Sequence, residues 1–141
     1  MELPMALQWV KCSYGDKESE FEKTAKKYSD DQHLKVNIAL IKKQYSISKQ
    51  ISLTNAIWSK MKNTNSYNTK TIEDMQAAIK IAKESKDITS ILKEFFSGKV
   101  ESPIAMRLGD GSYELISGSS RLMAARVLGI TPKIQIVDIN W

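Results

Sequence analysis

Cysteine and histidine occur once each in this 141-residue chain, and arginine only three times. The lone Cys12 has no second thiol for an internal disulfide or a zinc knuckle, so a reducing cytoplasm is the expected setting. His33 has no second histidine with which to hold a metal, and is read as part of the first turn of a helix. No apolar run approaches the ~20 residues needed to cross a bilayer. The segment Met1–Val10 contains Glu2 and Pro4 and lacks both a basic flank and a small-residue cleavage pattern, so neither a membrane partner nor export is expected. Acids are missing over one long stretch, for Gln32 to Ile72 holds seven lysines and no Asp or Glu.

What is present describes a folded chain. Apolar residues make up 42% and charged residues 26%, and the length suits one domain or a small domain with an extension. The formal charge of +5 is concentrated in residues 17–62, which hold ten lysines against five acids. Lys35, Lys42, Lys43, Lys49, Lys60 and Lys62 are therefore candidates for contact with a polyanion, DNA or RNA being the usual one. The alternative is a solvated lysine-rich helix face.

Apolar spacing sets out the elements. Phe21, Ala25 and Tyr28 form a helical stripe over 17–28, and Leu34, Ile38, Ile41 and Tyr45 form another, capped by Ser29-Asp30-Asp31. Ile51, Thr54, Trp58 and Met61 predict a third helix to Asn63, with Trp58 in the core, so that 1–62 reads as a helical, lysine-rich extension. The Asn/Thr/Ser/Lys run over 63–70 is a linker candidate. Thr71 and Asp74 make a capping-box pair for a helix to about Glu84. Asp87 can cap a further helix, with Ile88, Ile91, Leu92, Phe95 and Phe96 inward and Gly98 at its end. The period then drops to 2 on both sides of Gly109-Asp110-Gly111, predicting a hairpin that shows Glu114 and Asp110 on its wet face. A helix from Ser120 to Leu128 closes at Gly129 before Pro132, and a last strand spans Lys133–Ile139. The expected class is α+β: a small mixed β-sheet in 71–141, with a helix following the Gly118 turn.

Gly118-Ser119-Ser120-Arg121 is the candidate anion site. Glycine permits a tight strand-to-helix turn. The two serines stand beside the first free N–H groups of the helix, where a phosphate is at home. Arg121 in the first turn faces the positive end of the helix dipole, a mildly unfavourable placement that a bound anion would reverse. An ordinary serine cap with an exposed arginine is the alternative.

The segments Ser102-Pro103-Ile104-Ala105-Met106-Arg107, Tyr113-Glu114-Leu115-Ile116-Ser117-Gly118 and Ser119-Ser120-Arg121-Leu122-Met123-Ala124-Ala125-Arg126 resemble the ParB/sulfiredoxin-type pattern. That pattern runs Pro-Ile, hairpin, Tyr-x-Leu-x-x-Gly-x-x-Arg, then an Ala-Ala helix. The resemblance implies a nucleoside triphosphate, CTP or ATP, held by its phosphates at Gly118 to Arg121, usually with magnesium. It also implies, by analogy with a lysine and a hydroxyl residue on the preceding helix, Lys86 and Thr89 at the same phosphate. Ser120 stands where most members have His or Arg, and Ser119 where sulfiredoxins have their catalytic cysteine. No catalytic residue and no metal ligand is assigned.

Three functions follow as expectations. The first is a ParB-like nucleotide-binding domain that contacts nucleic acid through its basic helical region. The second is a small magnesium-dependent phosphotransferase, NTPase or nuclease using Ser119, Ser120 or Glu114. The third is a non-catalytic scaffold whose segments Asp31–Tyr45 and Lys49–Lys62 form a helix-turn-helix-like binder. The small size and high lysine content would suit a phage or mobile-element protein.

Overall fold

The structure, a computed structural model, describes residues 7–31, 38–82, 88–108 and 111–138. The expectations placed on His33, Leu34, Lys35, Lys86, Asp87 and Asp110 lie outside these residues. The described elements are α+β and form three layers. Helix α1 (Glu18–Asp31) and helix α2 (Ile38–Ile47) lie on one side. On the other lie the five-residue helix α3 (Asn55–Ser59), α4 (Ile72–Ala82), α5 (Ile88–Phe96) and α6 (Ser119–Leu128).

Strands β1 (Gln8–Val10) and β4 (Lys99–Glu101) pair in parallel as a small separate sheet. Strands β2 (Gln50–Ser52), β3 (Met61–Lys62), β5 (Ile104–Arg107), β6 (Tyr113–Ser117) and β7 (Lys133–Asp138) form a mixed sheet. Its order is β2-β7-β5-β6-β3, with β5 and β6 as the expected hairpin.

Alternation along the central strands supplies both cores. Ala105, Leu115 and Ile134 face a cluster with Met75, Phe95, Leu122 and Ala125. Ile104, Met106, Ile116 and Val137 face Phe21, Ala25, Ile41 and Tyr45. A sheet buried on both faces must be apolar on alternate residues in both phases, as these strands are.

Several helical expectations hold in detail. Thr71 and Asp74 form the capping box, the Asp74 N–H donating to Thr71 Oγ1 at 3.1 Å and the Thr71 N–H to Asp74 Oδ2 at 3.2 Å. The backbone N–H groups of Lys70 and Thr71, both donating to Asp74 Oδ2, hold its carboxyl below its ordinary pKa. Helix α6 ends with Gly129 in the left-handed region, where the Ile130 N–H reaches the Ala125 carbonyl at 2.8 Å.

The expected third helix of 49–62 does not form. Gln50–Ser52 instead pairs antiparallel with β7, Met61–Lys62 pairs in parallel with β6, and only the short α3 lies between them. The Ile57 N–H donates to Thr54 Oγ1, which makes Thr54 an N-cap where a helix interior was expected. Asn63, at φ 66, ends the segment. The helix-turn-helix-like pair is therefore not built by these segments. Residues 8–10 are likewise a strand, so the stretch read as all helix contributes a strand to each sheet edge it meets.

The linker candidate 63–70 is packed rather than extended. Ser66 is buried and accepts the Trp58 indole N–H at 2.8 Å, Thr69 is buried, and Asn63 Nδ2 donates to the Leu115 carbonyl at 3.0 Å. Its polar residues satisfy the loop's own backbone and a core tryptophan, which composition alone cannot distinguish from solvation. Trp58 is core as expected, with the Arg126 guanidinium 5.4 Å from its ring and 4.6 Å from that of Tyr67.

A cleft at the start of helix α6

Gly118 leaves β6 at φ 107, a conformation that side-chain-bearing residues rarely adopt. A Cβ placed on it would lie 2.7 Å from Cβ of Pro103, so the turn seats directly on the proline that precedes β5. Helix α6 then begins at Ser119 with no side-chain cap, and the Gly118 carbonyl accepts its first internal bond from the Leu122 N–H at 3.0 Å. The N–H groups of the first turn open toward a cleft of about 1030 Å³. Its wall combines Ser117 to Arg121 with Asn63, Thr64 and Asn65 of the packed loop, Ser90 and Glu94 of α5, Lys17 just before α1 and Glu20 in the first turn of α1.

Arg121 is not a free surface residue. Its Nε donates to Glu94 Oε1 at 2.6 Å and Oε2 at 3.2 Å, and its Nη2 lies 3.2 Å from Glu101 Oε2. Lys17 Nζ meets the same Glu101 oxygen at 3.7 Å. The first-turn cation that looked uncompensated in sequence is offset by carboxylates from α5 and β4, 27 and 20 residues away along the chain. Ser119 Oγ shares a 2.9 Å hydrogen bond with Thr64 Oγ1, while Ser120 lies on the cleft wall.

Of the residues expected at a phosphate, Gly118, Ser119, Ser120 and Arg121 stand together. Thr89 is exposed on α5 and does not line the cleft, whereas the neighbouring Ser90 does. Sequence reasoning missed Lys17, Glu94 and Glu101, whose only signal is charge at positions that no local pattern ties to Arg121. It also missed Asn63 and Thr64, hidden in what read as a linker.

Glu114 corrects another expectation. It is 1% exposed rather than on a wet face, because α1 covers that side of β6, and Lys27 Nζ meets its Oε1 at 2.5 Å. Its other oxygen has no partner among the described residues. Glu114 is thus turned into the α1 side of the sheet and does not line the cleft.

The candidate nucleic-acid lysines are divided. Lys42, Lys43 and Lys49 are exposed on or just after α2, at the β2 side of the sheet, and Lys60 and Lys62 are exposed at β3. These are opposite edges, four strand spacings or roughly 19 Å apart. No group of three or more metal-ligating side chains occurs among the described residues, and no described helix is long and apolar enough to cross a membrane. Comparison with protein-family models, curated proteins and solved structures gives no match to any of them.

Proposed function

We propose that the cleft binds a phosphate-bearing ligand of the nucleoside triphosphate kind, in a domain of ParB/sulfiredoxin type. The observation that carries this reading is the uncapped start of α6 opening into a cleft of nucleotide size, with Arg121 on its wall. Three first-turn N–H groups and the helix dipole favour an anion there. The serine hydroxyls of Ser119 and Ser120 add donors, and Arg121 supplies a planar fork suited to phosphate. The price of recruiting that fork is its release from Glu94 and Glu101, so a magnesium-bound triphosphate, which brings its own cation, suits the cleft better than a bare anion. Chemistry at the phosphate has no assigned base or nucleophile, and binding is the function put forward. The division of the lysines between two edges does not favour a single nucleic-acid track beside the cleft.

Titration with CTP, ATP and GTP, each with magnesium, tests the proposal through Ser120→Asp and Glu94→Gln. An acid in the first turn of α6 suits the helix dipole, so Ser120→Asp keeps or slightly raises thermal stability while repelling phosphate. At least a tenfold loss of affinity, about 1.4 kcal/mol, is expected. Glu94→Gln, which loosens the hold on Arg121, is expected to tighten binding. Binding unchanged by Ser120→Asp, or no binding by the unaltered protein, overturns the reading.

A further inference from the structure

One carboxylate oxygen beside the cleft serves two cations. Arg121 Nη2 lies 3.2 Å from Glu101 Oε2 and Lys17 Nζ lies 3.7 Å from the same atom, so the two positive groups stand within about 7 Å of each other. At that separation they repel, and the carboxylate between them offsets the repulsion. Lys17 lines the cleft together with Arg121, and its side chain is only 18% exposed, more enclosed than a solvated surface lysine. It ends the 3-10 turn Gly15–Lys17, its N–H donating to the Tyr14 carbonyl at 3.0 Å, and the fully buried Phe21 anchors α1 one helical turn further on. Glu101 is fixed in its turn as the last residue of β4, in register with Val10 of β1.

We infer that Lys17 is the second cation of the phosphate site and makes it selective for ligands with adjacent phosphates over those with one. This role rests on the reading of the cleft as a phosphate site. The wall carries Glu20 and Glu94 beside Arg121, so the guanidinium alone is outweighed by carboxylates and a polyanion would be repelled. Lys17 restores the balance on that wall. A single phosphate seated on the first-turn N–H groups and Arg121 leaves Lys17 with Glu101, whereas a second phosphate reaches Lys17 as well and displaces the carboxylate. The lysine suits this task because its compact ammonium needs no fixed orientation and follows whichever phosphate oxygen comes within reach. Glu101 meanwhile keeps the two cations together at the place where that phosphate arrives.

Titration of the full chain with the mono-, di- and triphosphates of adenosine, cytidine and guanosine, each with magnesium, tests the inference. The Lys17–Glu101 pair is partly exposed and adds little to stability, so Lys17→Gln, Glu101→Gln and the double variant are expected to melt as the parent does. Lys17→Gln should weaken the triphosphate on the order of tenfold and the monophosphate less than about threefold, while Lys17→Arg, which keeps the charge, retains most of the affinity. Glu101→Gln loosens both cations and is expected to tighten the triphosphate. In that background Lys17→Gln must still cost about tenfold, because a lysine that acts only by occupying Glu101 has nothing left to occupy. A loss that vanishes in the Glu101→Gln background, or one equal for mono- and triphosphate, overturns the inference. Triphosphate binding that Ser120→Asp abolishes and Lys17→Gln spares removes the role of Lys17 alone and leaves the cleft reading standing. No binding of any of these nucleotides by the unaltered protein removes both.

Discussion

The two faces of the five-stranded sheet are built by different means. On the face covered by α4, α5 and α6 the centre is apolar, with Trp9 meeting Phe95 edge-on at 5.8 Å and Leu122 to Ala125 buried in the same cluster, and the polar fixtures, such as the Trp58 indole on Ser66, lie toward its border. On the face covered by α1 and α2, polar fixtures run through the core. The Tyr45 hydroxyl donates to the Cys12 carbonyl and lies 3.3 Å from Gln135 Oε1. Gln135 Nε2 in turn donates to Ser48 Oγ at 3.1 Å, and Lys27 meets the buried Glu114. Lys11 Nζ donates to the carbonyls of Tyr45, Ser46 and Ser48, closing the C-terminal end of α2 with a cation where the helix dipole favours one. Apolar burial is non-directional and would tolerate several placements of α1 and α2, whereas buried polar groups are satisfied in few. The polar fixtures of the α1 and α2 face therefore narrow the placements open to those two helices, while both faces bury apolar side chains.

That contrast can be broken. Phe95→Ala on the apolar face should cost about 3–5 kcal/mol in denaturant unfolding. Phe21→Ala, equally buried but stacked on Tyr14 at 4.9 Å, tests the other face. A loss at Phe21 as large as at Phe95 would show that α1 is held by packing as firmly as α5 is.

A sharper test removes one fixture. Lys27→Met leaves Glu114 buried without the Lys27 ammonium, and a loss of about 2–3 kcal/mol is expected, short of the full penalty for a broken buried pair because Lys27 is half exposed. Lys27→Met combined with Glu114→Leu should recover most of it. A single variant as stable as the parent would mean that the pair contributes nothing to holding α1.

The smallest effect concerns pH. Burial first, and then the bond with Cys12, raise the Tyr45 hydroxyl above the ordinary 10.0. The folded state thus binds the proton more tightly, so this stabilisation is complete below pH 10 and fades as pH climbs from there toward the raised folded value. At neutral pH Tyr45→Phe should cost only about 0.5–1.5 kcal/mol, the worth of a hydrogen bond. It should also flatten the decline in stability above pH 10, and an alkaline melt series identical in both proteins would remove Tyr45 as the titrating group.

The same contrast explains what could be read from sequence. The hairpin, α4, α5, α6 and β7 were legible because single-period stripes, a capping box and terminal glycines all agree there. The third helix failed because Ile51, Thr54, Trp58 and Met61 satisfy helical spacing while the backbone of Gln50–Ser52 finds a partner in β7, more than eighty residues away. Glu114 was misplaced because nothing local announces that α1 will cover it. At the cleft, the Gly118 turn was visible as a motif, but the Arg121 partners Glu94 and Glu101 come from two other elements. Long-range charge pairing leaves no periodic trace, so the chemistry of a site assembled that way is the last thing a sequence discloses.

Gly118 and Pro103 have one more consequence. The glycine is required both by its backbone angle and by the proline seated against it, so a side chain at 118 would disturb Pro103 as well as the turn. The glycine of such a turn testifies to how the chain is assembled and is silent about cargo. In this chain the Pro-Ile and Gly-x-x-Arg pattern thus reports how the turn is built, and what the turn holds has to be read from its remaining residues and the walls they face.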